Sequence, residues 1–330
     1  MIKKLLLIIL LIYPHFSHSS EEVDFNTWLK NFKITAQKEG ISEETIITSL
    51  KNAKYLENVI KYDRHQPEFF EDTNTYVNKR ATKSRMLEAK KLLRKNKKLF
   101  DEVEKKFKVE KELLLALWGI ETNFGKNVGK MDIISSLATL SFDKRRRDFF
   151  SRELITLLRL IDKKLIDIDT LYGSWAGAYG NFQFMPSAIA NYAIDYDNNN
   201  KIELKKSLED AVASAANYIN KIGWEYKSFC FHKIKLTEKI SKKYINTSAK
   251  KIKNYHTIKI WKKKGIIDIE HINDKNKAAL IIPDMAVSSG NEKSPAFLVF
   301  NNYEKVLKWN RSLRFGLAVC TLKRKFENEL

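Results

Sequence analysis

The stretch LLLALWGIETNFGKN, Leu113–Asn127, decides how the rest of the chain is read. From Leu113 to Ile120 it carries no charged or amide side chain. The run then ends on one carboxylate, Glu121, with Gly125 close behind. Near the C-terminal end of a helix starting around Val109, the macrodipole disfavours negative charge. Leu117 and Trp118, one turn back, surround the acid with apolar wall. Both effects favour the protonated form, which is how a glutamate becomes a general acid near neutral pH. The alternative is a glutamate that leaves the core where the helix meets the surface.

A second block, GSWAGAYGNFQFMPS from Gly173 to Ser187, combines glycines with Trp, Tyr, Phe, Asn and Gln. It lacks the G-x-G-x-x-G spacing and the strand–glycine–helix context of a dinucleotide site. Aromatic faces can cover the apolar side of a pyranose while amides bond its hydroxyls, so the block suits a sugar. A plain helix–helix crossover is the competing reading.

The 330 residues can bury a large core, and the length suits two domains or one enlarged one. The opening MIKKLLLIILLIYPHFSHSS has a basic start and a short apolar core. Ser17 and Ser19 stand at −3 and −1 of a cut after Ser19, so residues 1–19 are expected to be a signal peptide that directs export to the periplasm. Leu5–Tyr13 is too short to span a bilayer comfortably, although an uncleaved anchor is the alternative. No cysteine near the junction offers a lipoprotein anchor. Cys230 and Cys320 are the two cysteines, and the sequence leaves open whether they pair or stay free and buried. A formal charge of +20 asks for a polyanionic partner. Nucleic acid fits by charge alone, but export and the spread of the lysines favour a wall polymer or an anionic membrane surface. Solvated lysine-rich faces would also account for the charge.

To about residue 225 the chain reads as helical. Phe25, Trp28, Leu29 and Phe32 recur at helical spacing, Gly40 is a stop, and a charged helical stretch runs from Val77 to Phe107. From Phe229 the segments FCFHKIKLTEKI and YHTIKIWKKKGI alternate apolar and basic residues and are expected to form short strands. AALIIPDMAV and PAFLVFNNY read as two more strands around the turn SSGNEKSP, and a last helix is expected from Tyr303 to Lys323. The expected fold class is α+β, mainly α.

The chain resembles the lytic murein transglycosylases of the membrane-bound B type, peptidoglycan-cleaving enzymes with a lysozyme-like core. The likeness rests on GIETNFGKNVGKMDIISSLATLSFD, GSWAGAYGNFQFMPSAIANYAIDYDNN, DAVASAANYINKIGW and LKWNRS, with FNTWLKNF and DRHQPEF earlier. It covers residues 24 to 323 and is weakest between 228 and 275. The implied organisation is a helical N-terminal region over 20–107 and a lysozyme-like core over 108–225. A basic strand-rich insertion over 226–275 and a C-terminal part over 276–330 complete it.

By this resemblance Glu121 is the one catalytic acid, protonating the glycosidic oxygen and then taking the proton of the muramic acid 6-hydroxyl. A single acid explains why Asp132 and Asp143 lack the context of a partner, where ordinary glycosidases use two carboxylates. Ser174, Gln183, Tyr218 and Asn310 match substrate-contacting positions, and Tyr76 and Phe182 match less closely. Phe150 and Phe315 stand where tyrosines are expected, so two hydroxyl contacts would be lost. Arg146 and Arg147 match positions that would hold carboxylates of the peptide stem or lactyl group; their charge opposes the macrodipole of the helix they begin. A solvated turn is the alternative.

DYDNNNKIELKK, Asp195–Lys206, resembles an EF-hand loop, with Asp195, Asp197, Asn199 and the Lys201 carbonyl at ligand positions and Asp210 as a late acid. Asn200 replaces the usual glycine, Lys206 replaces the usual glutamate, and SLED at Ser207 also reads as a capped helix start. No cofactor is expected to be required, with a structural calcium as the one candidate. The expected partner is the peptidoglycan glycan strand and not nucleic acid, for a monomer, with membrane or wall-enzyme association left open. The rival readings are a hydrolytic muramidase with a second acid, a non-catalytic glycan-binding scaffold, and a basic polyanion-binding protein.

Overall fold

In the computed structural model, residues 18–66, 70–236, 240–286 and 294–329 are described. The expected signal peptide up to Ser17 and most of the expected turn Ser288–Pro295 lie outside them.

Helix α7 (Lys111–Thr122) runs through the main core. Leu113 to Gly119 are buried without interruption, as an apolar surface on all sides requires. Ahead of it lie α1 (His18–Lys38), α2 (Glu43–Leu50), α3 (Glu57–Arg64), α4 (Thr73–Arg80), α5 (Lys83–Lys95) and α6 (Lys97–Phe107). The helical stretch expected from Val77 to Phe107 is therefore divided. Thr82 caps α5 by accepting the Arg85 N–H, and Asn96 separates α5 from α6. After α7 come β1 (Met131–Asp132), α8 (Ile133–Phe142), α9 (Arg147–Asp162), β2 (Tyr172–Gly173), α10 (Pro186–Tyr192) and α11 (Leu208–Lys221).

A five-stranded sheet follows. It contains β3 (Phe231–Ile234), β4 (Ile245–Asn246), β5 (His256–Thr257), β6 (Lys277–Ile281) and β7 (Ala296–Val299). Its order is β3-β7-β6-β4, with β5 also on β6; β4 runs parallel to β6 and the other pairs are antiparallel. Ala279, Ile281, Phe297 and Val299 face the main core. Ala278, Leu280, Ala296 and Leu298 alternate with them and face a second, smaller core with Trp261 at its centre. Burial on both faces explains why β6 and β7 read as continuous apolar runs. Because β3–β5 and β6–β7 share this sheet, the boundary expected at residue 275 runs through a single structural unit.

The strand expected across YHTIKIWKKKGI is corrected. His256–Thr257 is extended, but Ile258–Lys263 forms a helix, α12. Ile258 and Trp261, three apart, both enter the small core, and the Trp261 indole N–H donates to the Ala278 carbonyl at 2.8 Å. The single last helix is corrected too. It is α13 (Asn301–Trp309) and α14 (Leu313–Glu329), broken at Asn310–Ser312.

Cys230 and Cys320 form a disulfide that ties the residue before β3 to α14 across a separation of 90 residues. Closing so long a loop restricts the unfolded chain. The double variant Cys230→Ser/Cys320→Ser is expected to lose about 2–4 kcal/mol of unfolding free energy. Urea titration of oxidised wild type and variant reads this directly; coincident midpoints would contradict it.

Candidate active site

Helix α7 stops abruptly one residue after Glu121, at Thr122. Asn123, Phe124 and Gly125 all have positive φ, 50°, 60° and 80°. The chain doubles back so that Phe124 packs edge-on against Trp118, with ring centroids 5.5 Å apart, over Gly119. A Cβ on Gly119 would lie 2.8 Å from the Phe124 ring, so this position must be glycine for the reversal to close. The Thr122 hydroxyl donates to the Asn181 carbonyl at 2.7 Å, and the Trp118 indole N–H donates to the Asn181 side chain at 3.1 Å. Asn181 belongs to the glycine-rich loop, so the acid's own helix end is fastened to that loop.

The glycine-rich loop itself is held by its polar residues. The Ser174 hydroxyl oxygen accepts the N–H groups of Ala176 and Ala178. Gln183 has φ 52° and donates its amide to the carbonyls of Val128 (3.1 Å) and Gly180 (2.9 Å). A non-glycine residue held at positive φ is strained, and strain of this kind concentrates at functional sites. The loop before β1 and the end of β2 touch backbone to backbone; a Cβ on Gly129 would run into the Gly173 carbonyl.

From the other side, the Trp309 indole N–H donates to Glu121 Oε1 at 2.9 Å. Trp309 stacks on Tyr218 (4.9 Å, 23°), and Tyr218 stacks on Tyr192 (4.3 Å, 6°). Three rings from α13, α11 and α10 thus form a ladder leading to the carboxylate. Tyr218 also donates to the Lys308 carbonyl at 3.2 Å. Burial, then the nearby Tyr192 and Glu153, push its phenol up to about 12, so it remains a neutral donor through the ordinary pH range. Glu121, Ser174, Gln183, Tyr218, Trp309 and Asn310 are all half-buried, so each keeps part of its surface open to a ligand. Asn310 lies in the break between α13 and α14.

Other sequence-expected residues take supporting places. Phe182 is wholly buried beneath Trp309 and Trp118, so it backs the aromatic wall and does not face a ligand. Tyr76 is buried as well, with the Arg80 guanidinium 3.4 Å over its ring, which covers a face that a sugar would need. Arg146 is ion-paired with the buried Asp63, together with Arg145, and lies over the Phe150 ring. Arg147 donates to the Phe142 carbonyl at 2.7 Å. Three other acids of this half of the chain are committed elsewhere. Asp132 caps α8, Asp143 pairs with Arg64, and Glu153 accepts the Ser187 N–H and hydroxyl.

The loop after α10 gathers Asp195, Asp197 and Asp210, whose carboxylate oxygens lie within 4.8 Å of one another. Asp210 accepts the N–H groups of Tyr196 (2.7 Å) and Glu203 (2.8 Å), which closes the loop onto the start of α11. Asn200 takes the left-handed conformation in place of glycine, φ 66°. The Asn199 side-chain oxygen accepts the Lys201 N–H at 2.8 Å. Burial chiefly, and Asp197 to a lesser degree, hold the Asp210 carboxyl above its ordinary range. Hard oxygen donors under mutual repulsion fit a hard dication, which would relieve both effects.

A single carboxylate held by an aromatic ladder above a glycine-rich loop narrows the field of relatives. The profile of the transglycosylase SLT domain family matches residues 24–324. The chain belongs to this family. It is 42% identical to membrane-bound lytic murein transglycosylase B of Escherichia coli over 117 residues, 35% of this chain and 32% of that protein. The aligned part thus spans about a third of that relative's length. SltB3 from Pseudomonas aeruginosa, solved with NAG-NAM-pentapeptide, superposes with a TM-score of 0.80 at 27% identity, covering 92% of this chain and 79% of that one. Slt35 of Escherichia coli, solved in complex with calcium, superposes at 0.75 with 24% identity over 94% and 95%.

In this transglycosylase-family chain, Trp309 is the residue that the sequence left unmarked, although it sits within the quoted LKWNRS. Its role depends on a partner 188 positions away. Trp309→Phe keeps the ring but removes the N–H donor. A hydrogen bond to a charged group contributes about 1.5–3 kcal/mol, so kcat is expected to fall about 10- to 100-fold with little change in KM. Initial rates at saturating substrate measure it; an unchanged kcat would leave Trp309 a packing role alone.

Proposed function

We propose that the protein is a peptidoglycan lytic transglycosylase that cleaves the bond between N-acetylmuramic acid and N-acetylglucosamine without water. The observation that carries this reading is Glu121 held by Trp309 at the end of an aromatic ladder, while Asp132, Asp143 and Glu153 are each bonded within the fold. Glu121 gives its proton to the glycosidic oxygen as the C1–O bond breaks, leaving an oxocarbenium-like centre at the muramic acid C1. The resulting carboxylate takes the proton from that sugar's own 6-hydroxyl, whose oxygen bonds to C1. Protons and electrons balance, the product is a 1,6-anhydro end, and the acid is regenerated. An intramolecular nucleophile already in position replaces the second carboxylate of a hydrolase. The wall glycan places this work in the periplasm, in keeping with the exported N-terminus expected from the sequence.

The test is the mass of the muropeptides released from purified peptidoglycan. Anhydro ends, one water lighter than reducing ends, support the reading; reducing ends would make the protein a muramidase.

The same reading includes a structural calcium held by Asp195, Asp197, Asn199, the Lys201 carbonyl and Asp210. Because the folded Asp210 titrates above its unfolded value, its contribution without metal is greatest at low pH and is lost as pH rises through the folded value. Calcium bound at neutral pH offsets that loss. At a hundred times Kd it adds about 2.7 kcal/mol to stability. Thermal melts at pH 7 are expected to rise with calcium in the wild type and not in Asp195→Asn/Asp197→Asn. Equal melts with calcium and with chelator would remove calcium from the account.

A further inference from the structure

The strand-rich lobe carries charge out of proportion to its size. Between Lys227 and Lys277 stand fifteen lysines and four acidic residues, in a chain with 60 basic and 40 acidic residues overall. More than half of the net +20 therefore lies in under a sixth of the chain, so a lysine-rich composition does not by itself explain it. Among the described residues, Lys262 alone in this segment pairs with a carboxylate, Asp274 at 2.7 Å. Lys243 and Lys264 instead flank the Tyr244 ring, at 5.2 and 4.0 Å from its centroid, and both lower the pKa of its phenol, Lys264 more strongly. Two branched aliphatic side chains break the polar surface here. Ile260 is 38% exposed between Lys259 and Lys262, and Ile267 is 42% exposed just beyond Lys264.

The lobe is also joined to the rest of the fold. Trp261, Ile258, Ile269 and Ile272 fill its own core, and β6 and β7 join that core to the main one. The disulfide pins β3 to α14, and β7 leads directly into α13, which ends on Trp309. Whatever binds the lobe fixes the orientation of the cleft.

We propose that this lobe is a docking face for an anionic lipid bilayer, with its lysines among the headgroups and Ile260 and Ile267 at the acyl boundary. Unpaired cations draw the protein to any polyanion. Exposed isoleucines gain only where there is an apolar phase to enter, which a hydrated wall polymer or a nucleic acid lacks. No helix among the described residues is long and apolar enough to cross a membrane, so contact through this face would be peripheral.

Docking and chemistry are separable by experiment. The full chain is sedimented with vesicles of phosphatidylcholine alone or with 30% phosphatidylglycerol, in low and high salt. The apolar segment Leu5–Tyr13 is common to all variants and does not distinguish the lipids. Preferential binding to the anionic vesicles, weakened by salt, is expected. Each lysine near such a surface is worth about fivefold in partitioning, so Lys242→Gln/Lys259→Gln/Lys263→Gln is expected to bind about 100-fold more weakly. Ile260→Ser/Ile267→Ser is expected to lose about tenfold of the binding that survives high salt. Both variants should melt with the wild type and digest suspended peptidoglycan at its rate, so a failure of the proposed reaction would be seen independently. Equal binding to both lipids, no binding, or variants that bind like wild type overturns the proposal. So does a loss confined to binding of peptidoglycan itself, which would assign the lobe to the wall.

Discussion

Glu121→Gln is expected to lower turnover on peptidoglycan by about 10⁴-fold or more while leaving the fold and substrate binding intact. A single general acid or base step contributes about 10²–10⁴-fold, and in the proposed mechanism one residue serves two steps. The effects do not simply multiply, because a step that never starts cannot be slowed further by the loss of its successor. The amide can still accept the Trp309 indole N–H with its oxygen, so the contact at 2.9 Å survives and stability should change by less than about 1 kcal/mol. What the amide lacks is a transferable proton at working pH. Glu121→Asp separates chemistry from geometry. It keeps the carboxyl but withdraws it by one methylene from both Trp309 and the sugar, and a loss of about 10²-fold is expected. Rates come from release of soluble muropeptides, and binding from co-sedimentation with insoluble wall. Retention of more than a tenth of wild-type activity by Glu121→Gln would move the acid's role to another residue.

How far the site could be read from sequence follows from what each signal depends on. Helix α7 was legible because an all-apolar surface is a local property that packing does not revise. The family motifs around Glu121 and Gly173 were legible as ordered segments, and so was the Asp195 loop, where Asn200 takes the left-handed conformation that glycine usually supplies. Helix α12 was not. Over six residues, Ile258, Ile260 and Trp261 fit period two as well as period three, and only the cavity beneath β6 selects Trp261 for burial. Phe182 and Tyr76 have the composition of a sugar platform, but composition does not say which ring lies behind which. The Cys230–Cys320 pairing required two Cα atoms to approach within 6.0 Å across 90 residues, which no local pattern encodes. Trp309 had the same difficulty, since its meaning lies in the position of Glu121.

Asp284→Ala is expected to be the most destabilising of these substitutions, by about 3–5 kcal/mol. Asp284 lies in a short 3-10 turn after β6, with both its oxygens accepting the Thr73 N–H at 3.1 and 3.0 Å. It also accepts the Thr73 hydroxyl at 2.6 Å and the Arg314 guanidinium at 2.8 Å. Side chains of Asp284 and Arg314 are only 10% and 8% exposed. Truncation would leave a guanidinium in the interior without its carboxylate, together with the first turn of α4 deprived of an acceptor. The contrast with Lys61–Glu57 sets the scale. That pair has a similar distance, 2.9 Å, but side chains 64% and 47% exposed, and removing it should change stability by less than about 0.5 kcal/mol. Burial, not bond length, decides between them. Asp284→Leu/Arg314→Met removes both charges at once and is expected to recover much of the loss, because the penalty lies in stranding one partner. A double-mutant cycle from urea titrations measures this. Near-additive losses would show that the pair acts through separate contacts. The functional consequence follows from position: Asp284 joins α4 to the first turn of α14, next to the break that holds Asn310 and follows Trp309. Loosening that junction should lower kcat even at temperatures where Asp284→Ala remains folded, and the double variant should restore rate and stability together.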